Sequence, residues 1–270
     1  MGIKKGGANN GSNKAKIANS TNAKGTDGNM MNQIIIIIVV IIVTIIFCFI
    51  AKSVIMGALK AKRDSPFLLK GSKNAKNSMI ISQDPKAEGS VTLYRSDDQD
   101  KGIEFTYTFW MMIDNLTYKT GEWKHVFHKG NNTSYPNRAP GVWIHPNKNV
   151  LRFYMNTHKN MLEYVDVDNI PLRKWICLGV VLNQRSMDIY FNGYLRKRHT
   201  LSSLPRQNFG DVWINMFGGF EGYMSRIRYH RRALESDEIE DVVKKGPSND
   251  VCGDTGEMPP YLDDTWWFDN

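Results

Sequence analysis

Apolar and polar positions divide the chain into three textures. The first change comes at "NQIIIIIVVIIVTIIFCFIAK", which begins at Asn32. Every residue from Ile34 to Ile46 is β-branched, and none from Ile34 to Ala51 is charged. In water such a Pro-free run is a cross-β hazard, and β-branched residues are mediocre helix formers there. In lipid a lone segment can satisfy its own backbone only as a helix. At about 1.5 Å per residue the uncharged run spans roughly 27 Å, close to a bilayer core of about 30 Å. The pattern predicts one transmembrane helix over 33–59, with its core at 34–51. A signal peptide would carry a shorter apolar run nearer the start, followed by a small-residue cleavage site. Here a polar arm precedes the run and no A-x-A follows it.

On either side of the run the pattern is different. Residues 1–32 are Asn, Lys, Gly and Ser with few large apolar groups, which predicts a disordered basic arm. Residues 60–85 read as a basic stalk. From Val91 onward come short β-rich runs: "EFTYTFWMMI", "HVFHKG", "GVWIHP", "NVLRFYMN", "LEYVDVD", "WICLGVVL", "MDIYFNGYL" and "DVWINMFGG". Gly, Pro, Asn and Asp separate them at the spacing of a β-sandwich. Asn192-Gly193 in "FNGY" is a strong hairpin signal. Near the end "LESDEIEDVVKKGP" reads as a helix, with Ser236 as its N-cap, acids in its first turn, Lys244 and Lys245 in its last, and Gly246-Pro247 as its stop. The predicted fold is all-β: a two-sheet antiparallel sandwich over 86–250 with one C-terminal capping helix, preceded by the single transmembrane helix. A tail, 251–270, ends in Trp266, Trp267 and Phe268. It either folds back on the sandwich or docks into a partner, and an exposed patch of that size favours folding back.

The order of runs resembles the concanavalin A-like, laminin G-like jelly-roll superfamily. "FTYTFWMMID" (Phe105–Asp114) resembles its early F-T-x-S-x-W strand, and "GEWKHVFHKG" its W-x-H-I-x-x-K-G strand and turn. "IPLRKWICLGVVLNQRSMDIYFNGYL" resembles its most recognisable segment, two strands ending in Y-x-N-G. "GGFEGYMSRIRYHRRALESDEIEDV" resembles its closing strand and acidic helix. The resemblance covers about 91–246 and implies the jelly-roll fold. The full arrangement also resembles membrane-anchored members encoded by large nucleocytoplasmic DNA viruses, which implies a virion membrane protein.

Charge narrows the partners. Residues 1–76 hold 12 Lys/Arg and 2 Asp/Glu, giving +10, and 77–270 hold 23 and 25, giving −2, for +8 in all. The basicity belongs to the arms around the apolar run, where it meets anionic lipid, and is no nucleic-acid footprint of a folded domain. Orientation stays open. Lys52, Lys60, Lys62, Arg63 and Lys70 outnumber Lys14, Lys16 and Lys24, which leans toward a cytoplasmic C-terminal domain. The sequons at Asn115, Asn131 and Asn132 fit the opposite side. Cys48, Cys177 and Cys252 make no disulfide framework and no zinc spacing.

The superfamily resemblance raises glycoside hydrolysis, whose retaining members need two carboxylates on one strand face. In "EYVDVD" Glu163 and Asp166 are three apart and face opposite ways, while Asp166 and Asp168 share a face without the Glu pair. No catalytic residue is assigned. Calcium needs several oxygens on flexible loops. The only oxygen-rich stretches place Asp97, Asp98, Asp100 and Asp168, which read first as solvated turn acids, so no cofactor is assigned. Alternation supplies a better candidate. Trp143 and His145, then Arg152, Tyr154 and Asn156, then Tyr164 and Asp166 fall on outward faces; Val142, Ile144, Leu151, Phe153, Met155 and Val165 form the core face. Aromatic platforms between polar groups suit a sugar or a protein partner. His125, His128, His199 and His230 read as surface or strand-end residues. The expected function is a membrane-tethered, non-catalytic module that binds glycan or protein. A structural tether between a membrane and a viral capsid protein is second, and a glycosidase third.

Overall fold

The structure, a computed structural model, describes residues 12–96 and 102–250, with side chains from Asn29 onward. It divides after Lys60 into two units.

The first unit is helical. Helix α1 runs Ser12–Asp64, and its Asn29–Asp64 part is long and apolar enough to cross a membrane, with a mean hydropathy of 3.7 over its most apolar stretch. Its large apolar side chains from Ile34 to Leu59 are all exposed. Thr44, the one hydroxyl in the β-branched run, donates to the Val40 carbonyl at 2.7 Å, so it is satisfied inside its own helix. The backbone is already helical from Ser12, where a disordered arm was expected. Once a long apolar helix is nucleated, each further residue adds a hydrogen bond for only its own ordering, and no Pro stands in the way.

The second unit is a jelly-roll sandwich of two antiparallel six-stranded sheets. Along the chain its strands are β1 (Ser72–Asn74), β2 (Met79–Ile81), β3 (Glu104–Ile113), β4 (Lys124–Gly130), β5 (Arg138–Ile144) and β6 (Val150–Met155). There follow β7 (Glu163–Asp168), β8 (Trp175–Asn183), β9 (Ser186–Phe191), β10 (Tyr194–Thr200), β11 (Asp211–Ile214) and β12 (Gly222–His230). One sheet has the order β1-β12-β3-β8-β9-β10, the other β2-β11-β4-β5-β6-β7. The alternation read from the sequence holds: Val142, Ile144, Leu151, Phe153, Met155 and Val165 all lie in the core between the sheets.

The expected stalk is part of the sandwich. β1 pairs with β12 and β2 with β11, and Leu68, Leu69, Ala75 and Ile81 are buried in the core. The segment reads as a linker because its strands are three residues long and its basic side chains point outward, leaving too few apolar positions to show a period. Helix α2 (Ser236–Lys244) and the turn before it cover the outer side of the first sheet, closing Ile239 of the helix and Leu234 of the turn over Val181 and Tyr190. Its cap is Glu235 rather than Ser236. Glu235 accepts from the Glu238 backbone while Glu238 reaches back to the Glu235 N–H, a capping box built from two glutamates.

The Asn192-Gly193 hairpin forms between β9 and β10, with φ of 48° and 88°. Asn192 also accepts from the Cys177 N–H at 2.8 Å through its side chain, tying the turn to β8. A Cβ at Gly193 would meet nothing nearer than 3.8 Å, so the demand is conformational. Gly193→Val is expected to lower stability by about 1–3 kcal/mol, the strain of a β-branched residue at positive φ. Urea denaturation checks this, and an unchanged midpoint would refute it.

Candidate functional site

The outer face of the second sheet carries the candidate site. β5, β6 and β7 pair so that Trp143 lies opposite Arg152 and Arg152 opposite Asp166, while Gly141 lies opposite Tyr154 and Tyr154 opposite Tyr164. Two-residue periodicity brings these side chains to one surface, where they form a ladder. Arg152 donates to both Asp166 oxygens at 2.7 Å. Its guanidinium carbon lies 3.7 Å from the Tyr164 ring centre and 4.8 Å from that of Trp123. Tyr164 and Tyr154 meet at 5.8 Å, and Arg138 covers the Tyr154 ring at 3.8 Å. The Trp123 ring meets that of His145 edge-on at 5.1 Å. The hydrogen bonds to Asp166 raise the Arg152 pKa further. Tyr164 stays 46 % exposed even with the Arg152 guanidinium over one side of its ring.

Two predicted members are not open. Trp143 faces outward but is only 7 % exposed. Phe217, from the turn Met216–Gly218, stacks over it at 6.0 Å, and the His125 ring meets it edge-on at 4.5 Å. A loop distant in sequence covers it, which strand alternation cannot reveal. Asn156 lies one residue beyond β6 and is buried. Its Oδ1 accepts from the Arg138 N–H at 2.5 Å, and its amide donates to the carbonyls of Pro136, at 2.9 Å, and Met161. It is a loop staple. Sequence reading missed Trp123 and Arg138; both flank strand starts in segments whose polar neighbours masked them.

Two of the four histidines, His125 and His128, are also corrected, whereas His230 ends β12 and His199 lies near the end of β10 as expected. His125 and His128 are fully buried, His230 nearly so, and His199 is half-buried beside Glu163. A bulge between His125 and Phe127 turns Val126 and Phe127 both into the core, so the two histidines, three apart, come to the same side. Their hydrogen bonds form a chain with one consistent tautomer. His125 Nδ1 accepts from the Met216 N–H at 2.9 Å, so its proton sits on Nε2 and goes to His128 Nδ1 at 2.7 Å. His128 Nε2 then donates to the Asn131 carbonyl at 2.7 Å. Both rings are neutral in this arrangement. Burial pulls the His128 pKa down to about 4 and that of His125 well below its usual value.

The remaining candidates are scattered. Asp168 is exposed at the end of β7, and among the described residues no three His, Cys, Asp or Glu side chains group as metal ligands. Asp97, Asp98, Asp100 and the tail 251–270 lie outside the described residues. The Asn115 side chain is engaged by Thr117, Tyr118 and Glu221, whereas Asn131 and Asn132 are exposed. Glu163 points away from Asp166. Burial pushes its pKa up, but hydrogen bonds from Ser202, Thr157 and His199 outweigh this and hold it below the usual carboxylate range.

A model of the concanavalin A-like lectin/glucanase superfamily matches residues 85–240. The chain belongs to that superfamily. HCR/D, in a point-mutant crystal form, is similar with a TM-score of 0.50 and 10 % identity, over 67 % of this chain and 47 % of that one. The receptor-binding domain of a botulinum neurotoxin C/D mosaic aligns with a TM-score of 0.44 and 12 % identity, over 53 % of this chain and 36 % of the other. The binding domain of botulinum neurotoxin DC, solved with rat synaptotagmin II, gives 0.43 and 15 %, over 53 % and 35 %. The match thus spans between a third and a half of these neighbours' length, and the likeness to HCR/D, at its low identity, shows the fold alone. No curated protein matches the chain.

Proposed function

We propose that the chain is a membrane-anchored, non-catalytic recognition module whose outer β5–β6–β7 face binds a glycan or a protein partner. The ladder carries this reading: a half-exposed tyrosine pair interleaved with ordered guanidinium groups. Aromatic anchors beside fixed polar groups are what recognition surfaces concentrate. Helix α1 supplies the anchor to membrane lipid, since its apolar side chains are bare on every side. The non-catalytic reading is supported by Glu163, whose carboxylate is spent on Ser202, Thr157 and His199 and points away from Asp166. The virion setting, with a capsid protein as partner, rests on the sequence resemblance alone.

The test uses the full chain reconstituted in lipid vesicles. It is expected to stay with the vesicles through an alkaline carbonate wash and to bind a subset of an immobilised glycan array. Tyr164→Ala is expected to weaken that binding roughly 10-fold or more, as an aromatic anchor does, with the melting temperature unchanged. Release by carbonate overturns the anchor. Binding indifferent to Tyr164→Ala overturns the face.

A further inference from the structure

The two arginines of the ladder are not equivalent. Arg152 is neutralised by its two-pronged contact with Asp166. Arg138 has no such partner. Its guanidinium meets the Tyr154 ring and, among the described residues, no carboxylate, and its buried Nε has no hydrogen-bond partner. Burial pulls its pKa down, as expected for a cation that has given up water without gaining an acceptor. Summed over the ladder, Arg138 and Arg152 give +2 and Asp166 −1, so one positive charge is left over, at Arg138.

The seat of this charge is built. Gly141 lies cross-strand from Tyr154, and a Cβ there would stand 3.3 Å from the Arg138 Cβ and 3.6 Å from its Cδ. A glycine lets the arginine stem lie flat over the sheet and delivers the guanidinium onto the Tyr154 ring. A half-buried guanidinium with no carboxylate partner and an unpaired Nε, beside a partly exposed tyrosine, matches a ligand that offers a planar anion next to a ring. A carboxylate is the planar acceptor that guanidinium grips with two parallel bonds.

We propose that Arg138 is the receptor for the carboxylate of an acidic saccharide, whose ring stacks on Tyr164. This rests on the recognition reading above and names its ligand class. A sugar whose carboxylate is bonded directly to its ring presents both groups within the reach of two adjacent tyrosines, 5.8 Å apart.

The experiment measures binding of the full chain in vesicles to sialyllactose, a hyaluronan oligosaccharide, lactose and hexaglutamate, for the parent, Arg138→Gln and Arg138→Lys. The parent is expected to prefer a carboxylated saccharide over lactose, more so at low salt. Arg138→Gln is expected to lose roughly 10- to 100-fold in that affinity, the worth of hydrogen bonds to a charged group, and Arg138→Lys to recover part of it. The melting temperature of Arg138→Gln should hold or rise, because an unsatisfied buried donor is removed. Equal binding of lactose and sialyllactose, or an unchanged Arg138→Gln, overturns the assignment of Arg138 while leaving saccharide recognition standing. Binding of hexaglutamate alone makes the ligand an acidic peptide and overturns the saccharide. Silence with all four probes, on a chain that also binds no arrayed glycan, overturns both the assignment of Arg138 and the glycan arm of the recognition reading.

Discussion

Phe153→Ala is expected to destabilise the sandwich by about 3–5 kcal/mol, the range for a large aromatic removed from a packed core. Phe153 is 1 % exposed and points between the sheets, with Val142 and Val165 as its cross-strand partners. The informative comparison is with its neighbours on the other face. Tyr154 and Tyr164 point outward and remain partly open, so their alanine variants should stay within about 1 kcal/mol of the parent. Trp143 shares that outward side but is roofed by Phe217 and walled by His125. Trp143→Ala should therefore behave as a core change, losing a few kcal/mol, in the large-to-small range. Urea midpoints for the four variants decide the matter. A harmless Trp143→Ala would mean that the Phe217 roof does not form.

Acid should weaken the fold well before its carboxylates are protonated. His125, His128 and His230 are held neutral by burial, with His128 pulled to about 4 and His230 to about 3. Unfolded histidine takes up a proton near pH 6.5, whereas the folded rings do not. The unfolded state therefore gains protons first, and stability, complete above pH 6.5, falls as pH drops toward 4. One pKa unit corresponds to about 1.4 kcal/mol, so His128 alone accounts for roughly 3 kcal/mol over that interval. Geometry agrees, because each ring nitrogen of His125 and His128 already has an assigned role. A proton added to either ring places two donors face to face. Chemical denaturation at successive pH values should show the decline, and His128→Gln should flatten part of it. A stability level between pH 7 and pH 4.5 would refute the neutral pair.

What the sequence discloses follows the range of the interaction. Strand faces depend on alternation alone, so the core positions from Val142 to Val165 were legible, as were the Asn192-Gly193 turn and the acidic helix with its Gly-Pro stop. Contacts between distant segments were not. Phe217 over Trp143 joins two places 74 residues apart, a separation (217 − 143) that no local pattern reports. The His125–His128 pair was hidden because residues three apart face opposite ways on a regular strand, and only the bulge reverses this. Arg138 was overlooked because its significance is a missing acceptor, and absence of a partner becomes visible only when neighbours are placed. The short strands β1 and β2 went unrecognised because three residues cannot establish a period.

The first and last segments of the sandwich are bound to each other. The Ser72 N–H donates to the Asp250 carbonyl at 2.6 Å, the Ser72 hydroxyl to the Ser248 carbonyl at 2.6 Å, and the Ser248 N–H to the Ser225 hydroxyl at 2.9 Å. The first strand and the last described residues thus meet at one margin of the first sheet, the margin opposite β10. A domain with adjacent ends behaves as a cassette. It can be spliced into a host loop, or cut open elsewhere and rejoined, without threading new chain across its surface. The Arg138–Tyr164 face belongs to the other sheet, so such grafting would leave it free to be carried on an unrelated scaffold.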